Sequence, residues 1–147
     1  MQVVNKEAMN ALGVRLASRL ASGDTVLLTG QMGAGKSELA RGIARGLGYA
    51  GPIPSPTFTI LNQYEGGREK LYHFDWYRID DVEELYASGL DEVIGYDGIT
   101  LIEWHQRAPE LCPEDALEVV ITVKDNDVRV VELISRGNFR SVCLEEL

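Results

Sequence analysis

One segment of the sequence, residues 30–37, has the spacing G-x-x-x-x-G-K-[ST] of a phosphate-binding loop. Its small residues allow successive backbone N–H groups to point at one anion, and a helix that begins directly after it adds partial positive charge. Lys36 is then expected to bridge the outer phosphates of a nucleotide, and Ser37 Oγ to bind Mg²⁺. The motif predicts a nucleotide-binding site with these contacting residues: Met32, Gly33, Ala34, Gly35, Lys36, Ser37 and Glu38.

Glu103 is a first candidate for the catalytic chemistry that phosphate binding alone does not supply. Phosphoryl transfer also requires a carboxylate that holds the metal and a group that positions the attacking oxygen. Glu103 follows the apolar run 99–102, which is typical of a parallel strand buried on both faces, and the carboxyl end of such a strand faces the phosphate loop. The alternative is an ordinary acid at a strand end. Trp104, the next residue, either lines the nucleotide site or fills the core.

The run 72–78, YHFDWYR, contains a second candidate acid. Strand alternation predicts an aromatic face that packs and a polar face that carries His73 and Asp75. On this interpretation Asp75 binds Mg²⁺, directly or through water, and His73 orients it or contacts phosphate. A half-buried strand with a solvated polar face is the alternative. Arg78 either neutralises a transferring phosphoryl group or pairs with the acids that follow it.

The patterns around these residues predict the elements that position them. Helical spacing of apolar residues predicts a helix over 6–21, capped by Asn5, and a second helix directly after the phosphate loop. Asp80 with Glu83 resembles a capping box for a short helix that ends at Gly89. Four of the predicted strands form two antiparallel hairpins. The predicted strands are 25–29, 57–64, 70–77, 99–102, 117–123 and 128–134.

The length of the chain limits the number of domains, and its charge limits the classes of partner that it can bind directly. The sequence has 147 residues and neither an internal repeat nor a linker, so we expect one α/β domain over residues 1–147. That domain is a P-loop fold with a mixed parallel and antiparallel sheet flanked by helices. With 14 basic and 23 acidic side chains the formal net charge is −9, which disfavours direct, non-specific binding to nucleic acid or to an anionic membrane.

The cysteines and the N-terminal segment point to the cytoplasm. Cys112 and Cys143 have no C-x-x-C or C-x-x-H spacing, which is typical of reduced thiols and argues against a zinc site. Charged residues interrupt the apolar positions of residues 1–24, and no apolar run approaches the ~20 residues that a membrane span requires. We therefore expect a cytoplasmic protein without a membrane anchor.

Five segments together resemble one known family. They are GDTVLLTGQMGAGKS at 23–37, SPTFTILNQY at 55–64, HFDWYR at 73–78, EEL at 83–85 before Gly89, and LIEW at 101–104. Their order and spacing are similar to those of the TsaE (YjeE-type) P-loop ATPases of bacterial tRNA threonylcarbamoyladenosine synthesis, and the likeness covers most of the chain. The set is far more specific than the phosphate-loop motif, which many unrelated nucleotide-binding proteins share.

The resemblance implies an activity and partners. It implies ATP and Mg²⁺ as cofactors, with Ser37 and Glu103 as metal ligands and Asp75 needed for hydrolysis. It also implies that residues 55–57 lie on a loop near the phosphates, which makes Thr57 a nucleotide contact. Members of this family resemble weak ATPases that act with the partner proteins TsaD and TsaB, which transfer threonylcarbamoyl to an adenosine of tRNA. ATP turnover would reset that complex, and tRNA would reach this protein only through it.

The sequence departs from the family pattern at two positions, and two other functions remain compatible with its residues. Glu38 stands where family members often have a second hydroxyl residue, and His105 stands where a proline is common. The residues alone also fit a P-loop small-molecule kinase, although no long insertion supplies a lid. A nucleotide-gated binding module without essential turnover is the non-enzymatic alternative.

Overall fold

The chain folds around one β-sheet, whose strands come from the part of the sequence between residues 2 and 136. The computed structural model describes residues 1–54 and 59–147, so the predicted nucleotide contact Thr57 lies outside the described residues. The seven strands of the described residues are β1 (Gln2–Val3), β2 (Thr25–Thr29), β3 (Leu61–Tyr64), β4 (Leu71–Asp75), β5 (Ile99–Glu103), β6 (Ala116–Val123) and β7 (Arg129–Arg136). The described α-helices are α1 (Lys6–Ala17), α2 (Lys36–Gly46) and α3 (Glu83–Ala87), and the short 3-10 segments are Leu90–Val93, His105–Arg107, Pro109–Leu111, Asp125–Asp127 and Leu144–Glu146.

The sheet combines a parallel centre with antiparallel edges, in the order β1-β7-β6-β2-β5-β4-β3. Strand β2 lies between β5 and β6 and runs parallel to both, and β4 runs parallel to β5. The predicted hairpins β3–β4 and β6–β7 are antiparallel, and β1 adds an antiparallel edge strand beside β7. The predicted α/β class with a mixed sheet is confirmed.

Two apolar layers cover the two faces of the sheet. One contains the buried residues of α1 and α2 packed against alternate residues of the central strands. The other contains Tyr72, Phe74 and Trp76 of the predicted aromatic face, together with Leu85 of α3. Because both faces are covered, β5 is buried along its whole length, as its continuous apolar run predicts.

Helices α1 and α2 approach each other closely through glycines. A Cβ atom at Gly42 would overlap the carbonyl oxygen of Asn10, and one at Gly46 would lie 2.6 Å from the carbonyl oxygen of Val14. The missing side chains therefore allow backbone to pack against backbone. This contact fixes the start of α1 relative to the start of α2, which follows the phosphate loop.

Two predicted helix ends need correction. Asn5 caps α1 as predicted, its Oδ1 accepting the Ala8 N–H at 2.8 Å, but α1 ends at Ala17 rather than at residue 21. Beyond Ala17 the amides bond three residues back, and the Arg68 guanidinium donates to the Ala17 carbonyl at 2.7 Å, so the chain turns away. The predicted Asp80–Glu83 capping box is wrong, because the Asp81 carboxylate accepts the Glu83 N–H at 3.0 Å instead.

The sequence predicts no membrane-spanning segment and two reduced cysteines, and the described helices and thiols can be compared with both expectations. Searching residues 1–54 and 59–147 finds no helix with the length and apolarity needed to cross a bilayer. Cys112 and Cys143 are free thiols, and burial raises the pKa of Cys112 to about 11. Cys112 therefore stays protonated and unreactive at neutral pH.

Gly42→Ala tests the close contact between α1 and α2. Alanine normally stabilises a helix relative to glycine by ~1 kcal/mol. Here the added methyl group has no space, and we expect the free energy of unfolding to fall by about 2 kcal/mol, as in overpacked cores. Urea denaturation measures the change, and Gly42→Ser should lower the midpoint further. An unchanged or raised midpoint for both variants would contradict the backbone contact.

Candidate active site

A cleft of about 350 Å³ opens at the carboxyl ends of the central parallel strands. Its volume is within the range of sites that hold small molecules. Loops and strand ends meet there because parallel strands all end at the same edge of the sheet. The described residues that line it come from the start of α1 (Asn5, Lys6, Met9), the phosphate loop and α2 (Met32, Gly33, Gly35, Lys36, Ser37, Glu38, Arg41), and the strand ends and their neighbours (Asp75, Tyr77, Glu103, Trp104, Arg129).

The phosphate loop presents the start of α2 to this cleft. Gly33 and Gly35 have φ values of 82° and 114°, which a residue with a side chain rarely adopts. No side chain of the described residues caps α2 at Gly35, whereas Asn5 caps α1. The first amides of α2 are thus left for an anion in the cleft, as expected for a phosphate site.

The Lys36 ammonium is held inside the cleft by two contacts. Nζ donates a hydrogen bond to the Gly30 carbonyl at 2.7 Å and lies 4.0 Å from the centroid of the Trp104 ring. The residue is 5% exposed, and burial lowers the pKa of Lys36 while the nearby charges of Glu103 and Asp75 raise it. Trp104 therefore lines the cleft, although it also packs against the second apolar layer.

The two candidate carboxylates are neighbours on adjacent parallel strands. Asp75 and Glu103 are paired in the register of β4 and β5, and they are 6% and 3% exposed. Burial raises the pKa of Asp75, against the hydrogen bond that the Tyr77 N–H donates to its Oδ1 at 2.9 Å. His73 Nε2 contacts Glu103 Oε2 at 2.6 Å, a pairing that strand alternation alone does not reveal.

The donor set around the cleft suits Mg²⁺ bound together with phosphates. The Ser37 hydroxyl and the carboxylates of Asp75 and Glu103 are hard oxygen ligands on one cleft. Within residues 1–54 and 59–147, no group of three or more His, Cys, Asp or Glu residues could hold a metal alone. Mg²⁺ commonly binds through one or two carboxylates plus substrate phosphates, so the residues present fit it.

The charge of Glu38 is balanced inside the protein. Its Oε2 pairs with Arg41 Nη1 at 3.0 Å, and its Oε1 accepts a hydrogen bond from Asn10 Nδ2 at 3.1 Å. The extra acid that departs from the family pattern is thus engaged by α1 and α2. Glu38 lines the cleft, and its contact with a nucleotide stays a prediction.

Ala34, another predicted nucleotide contact, lies inside the phosphate loop, and its contact with a nucleotide stays a prediction. It is fully buried and does not line the cleft. Its N–H donates to the Gln31 carbonyl at 3.1 Å, inside the loop. The methyl group packs in the first apolar layer.

Arg129 is a cleft residue that sequence reasoning missed. From β7 its Nη2 donates to the Gly33 carbonyl at 3.1 Å, and its Nε donates to the Ala34 carbonyl at 3.3 Å. The start of α1, with Lys6 and Met9, also lines the cleft. No local signal marks these residues, because only the folded sheet and the α1–α2 contact bring them to the loop.

The fold and the cleft define the class of this protein. A phosphate loop between β2 and α2, with acids at the ends of two adjacent parallel strands, is the arrangement of α/β P-loop domains. The family model described as "Threonylcarbamoyl adenosine biosynthesis protein TsaE" matches residues 3–131. The chain belongs to the TsaE family.

Relatives and a solved structure agree with this assignment. The tRNA threonylcarbamoyladenosine biosynthesis protein TsaE of Bacillus subtilis is 37% identical over 99% of this chain and 91% of its own length. The protein of the same name from Nostoc is 38% identical over 89% of this chain and 82% of its own length. The crystal structure of YdiB from Bacillus subtilis has a TM-score of 0.81 at 33% identity and covers 94% of this chain and 85% of that one.

Arg129→Gln tests whether β7 supports the phosphate loop. Loss of the hydrogen bonds to the loop carbonyls should weaken binding of an ATP analogue about tenfold, or ~1.4 kcal/mol, and speed amide hydrogen exchange in the loop. Calorimetry and exchange mass spectrometry measure the two effects. Arg136→Gln removes the same charge from an exposed position on the same strand. Equal effects of the two substitutions would contradict a specific role for Arg129.

Proposed function

We propose that this protein is a Mg²⁺-dependent ATPase of tRNA threonylcarbamoyladenosine biosynthesis. The observation that carries the proposal is the meeting, in one cleft, of an uncapped helix start, a buried lysine and two buried carboxylates. Membership of the TsaE family supports the pathway. The parts of the cleft correspond to the three tasks of nucleotide hydrolysis, which are phosphate binding, metal binding and placement of water.

Phosphate binding falls to the loop and Lys36. The amides at the start of α2 donate to phosphate oxygens, with the positive end of the helix dipole behind them. Lys36 already lies in the cleft between the Gly30 carbonyl and the Trp104 ring. The Lys36 side chain therefore needs little change of rotamer to bring its ammonium to the outer phosphates.

Metal binding and hydrolysis fall to three oxygen-bearing side chains. Ser37 and Glu103 are the proposed ligands, and His73 fixes the orientation of the Glu103 carboxylate. A bound Mg²⁺ neutralises charge on the phosphates and supplies Lewis acidity. Asp75, whose pKa burial raises, is suited to bind Mg²⁺ through water and to orient the water that attacks the terminal phosphate.

Charge and family membership support a proposal for the partners of this activity. We propose that ATP turnover resets a complex of TsaD and TsaB, in which the threonylcarbamoyl transfer itself takes place. With a formal net charge of −9 the chain repels polyanions, so tRNA contacts the partners rather than this protein. A lack of direct tRNA binding at any salt concentration is the result that this arrangement requires.

Lys36→Ala tests nucleotide binding. Removal of a charge-assisted contact worth ~1.5–3 kcal/mol should weaken ATP binding by at least about tenfold. Isothermal titration calorimetry with Mg²⁺ and a non-hydrolysable ATP analogue measures the affinity. Lys70→Ala is the control, since Lys70 is exposed and precedes β4 at the end opposite Asp75. Parent-like affinity for Lys36→Ala would refute the assignment of the site.

Glu103→Gln separates a regulatory ATPase from a nucleotide-gated binding module. We expect kcat to fall about a hundredfold while ATP still binds, because an electrostatic contact to the reacting phosphate is lost. Hydrolysis is measured alone and with purified TsaD and TsaB, which should stimulate the parent strongly. Glu110→Gln, at an exposed position, is the control. If Glu103→Gln lost turnover but kept tRNA modification, nucleotide binding alone would be the function.

A further inference from the structure

A hydrogen-bond chain crosses the sheet behind the phosphate loop and joins three elements. The Thr29 hydroxyl at the end of β2 donates to Glu118 Oε2 of β6 at 2.6 Å. The same hydroxyl lies 2.9 Å from His105 Nε2, just beyond the end of β5. The side chains of His105 and Glu118 are only 10% and 16% exposed, so water competes weakly for these bonds.

The chain of bonds has one direction. A threonine hydroxyl has a single proton, and Thr29 gives that proton to the Glu118 carboxylate. Thr29 must therefore accept from His105, which requires a proton on Nε2. His105 Nε2 also lies 3.6 Å from Glu118 Oε2, so the three side chains form one largely buried cluster, and an apolar group at any of the three positions removes a polar partner from the others.

Two members of this chain, Thr29 and His105, directly adjoin in sequence the two groups that contact the Lys36 ammonium. Thr29 is followed directly by Gly30, whose carbonyl accepts the Lys36 hydrogen bond at 2.7 Å. His105 directly follows Trp104, whose ring centroid lies 4.0 Å from Lys36 Nζ. A shift of Thr29 or of His105 would therefore move one of the two groups that locate the ammonium.

The backbone of Trp104 needs such support. Its φ of 60° lies in the left-handed region, which costs a residue with a side chain on the order of 1 kcal/mol or more. A strained residue keeps its conformation only where its neighbours determine it. The bond from His105 to Thr29 ties the segment after Trp104 to the central strand β2.

We propose that Thr29, His105 and Glu118 are positioning residues for ATP turnover. They hold Trp104 and Gly30 in place and thereby fix the Lys36 ammonium against the phosphates. The effect on turnover rests on the proposed ATPase function. The effect on Trp104 does not, because it is a property of the protein without nucleotide.

Thr29→Val and Thr25→Val form a matched pair for the test. Both substitutions replace a hydroxyl by a methyl group on β2, but Thr25 Oγ1 is buried with no hydrogen-bond partner among the described residues. The full chain is labelled with 5-fluorotryptophan, which gives one ¹⁹F resonance for Trp76 and one for Trp104, assigned with Trp104→Phe. Trp76 is fully buried in the second apolar layer and reports whether the fold is intact.

We expect Thr29→Val to shift or broaden the Trp104 resonance and to leave the Trp76 resonance in place. Turnover is measured with Mg²⁺ and ATP in the presence of TsaD and TsaB. The kcat should fall about tenfold, which corresponds to the loss of one buried hydrogen bond, while KM changes less than about threefold. Thr25→Val should leave both resonances and kcat unchanged. His105→Ala should match Thr29→Val, and His105→Gln, which retains an N–H donor, should recover most of the lost activity.

Three results would overturn the proposal. The first is a Thr29→Val variant with the resonances and kcat of Thr25→Val. The second is a shifted Trp104 resonance with unchanged kcat, which would remove the role in turnover. The third is a His105→Gln variant whose kcat is no higher than that of His105→Ala.

A parent protein that does not hydrolyse ATP would instead refute the proposed function, and the ¹⁹F spectra would still decide whether the hydrogen-bond chain holds Trp104 in place. If Thr29→Val disturbs the Trp76 resonance, His105→Ala replaces it in each comparison.

Discussion

The burial of one ammonium beside two carboxylates is the constraint on which the rest of the cleft depends. Lys36, Asp75 and Glu103 are each no more than 6% exposed, and together they carry one excess negative formal charge. Buried charges are tolerated only with close polar partners, and the protein supplies them through the Tyr77 amide and the His73 ring, among others. The excess negative charge favours a cation in the cleft, which is one reason for proposing that Mg²⁺ binds there.

The features that the sequence predicts well are local ones. The phosphate loop is contiguous, so its spacing alone identifies it, and β2 at Thr25–Thr29 has the predicted bounds. Glu103 and Asp75 are predicted because strand alternation and the position of a strand end follow from short runs of residues. The structure places both acids on the cleft, and their roles in catalysis stay predictions.

The features that the sequence does not predict depend on tertiary register. Arg129 reaches the loop from 96 positions away in the chain, and His73 meets Glu103 because β4 and β5 are neighbours. The early end of α1 at Ala17 is set partly by Arg68, which binds its last carbonyl from a distant loop. The apolar spacing that predicts a longer α1 continues past Ala17, so no local signal opposes it.

The pairing of Asp75 with Glu103 limits how this gene can change length. Side chains alternate along a strand, so one inserted or deleted residue within β4 would turn Asp75 away from the cleft and bring an aromatic ring into its place. The turn between β3 and β4 lies outside this alternation, and at Gly66, ahead of the anchored Arg68, it can absorb extra residues at small entropic cost. Natural length variation among relatives should therefore collect in that turn and avoid Leu71–Asp75 and Ile99–Glu103.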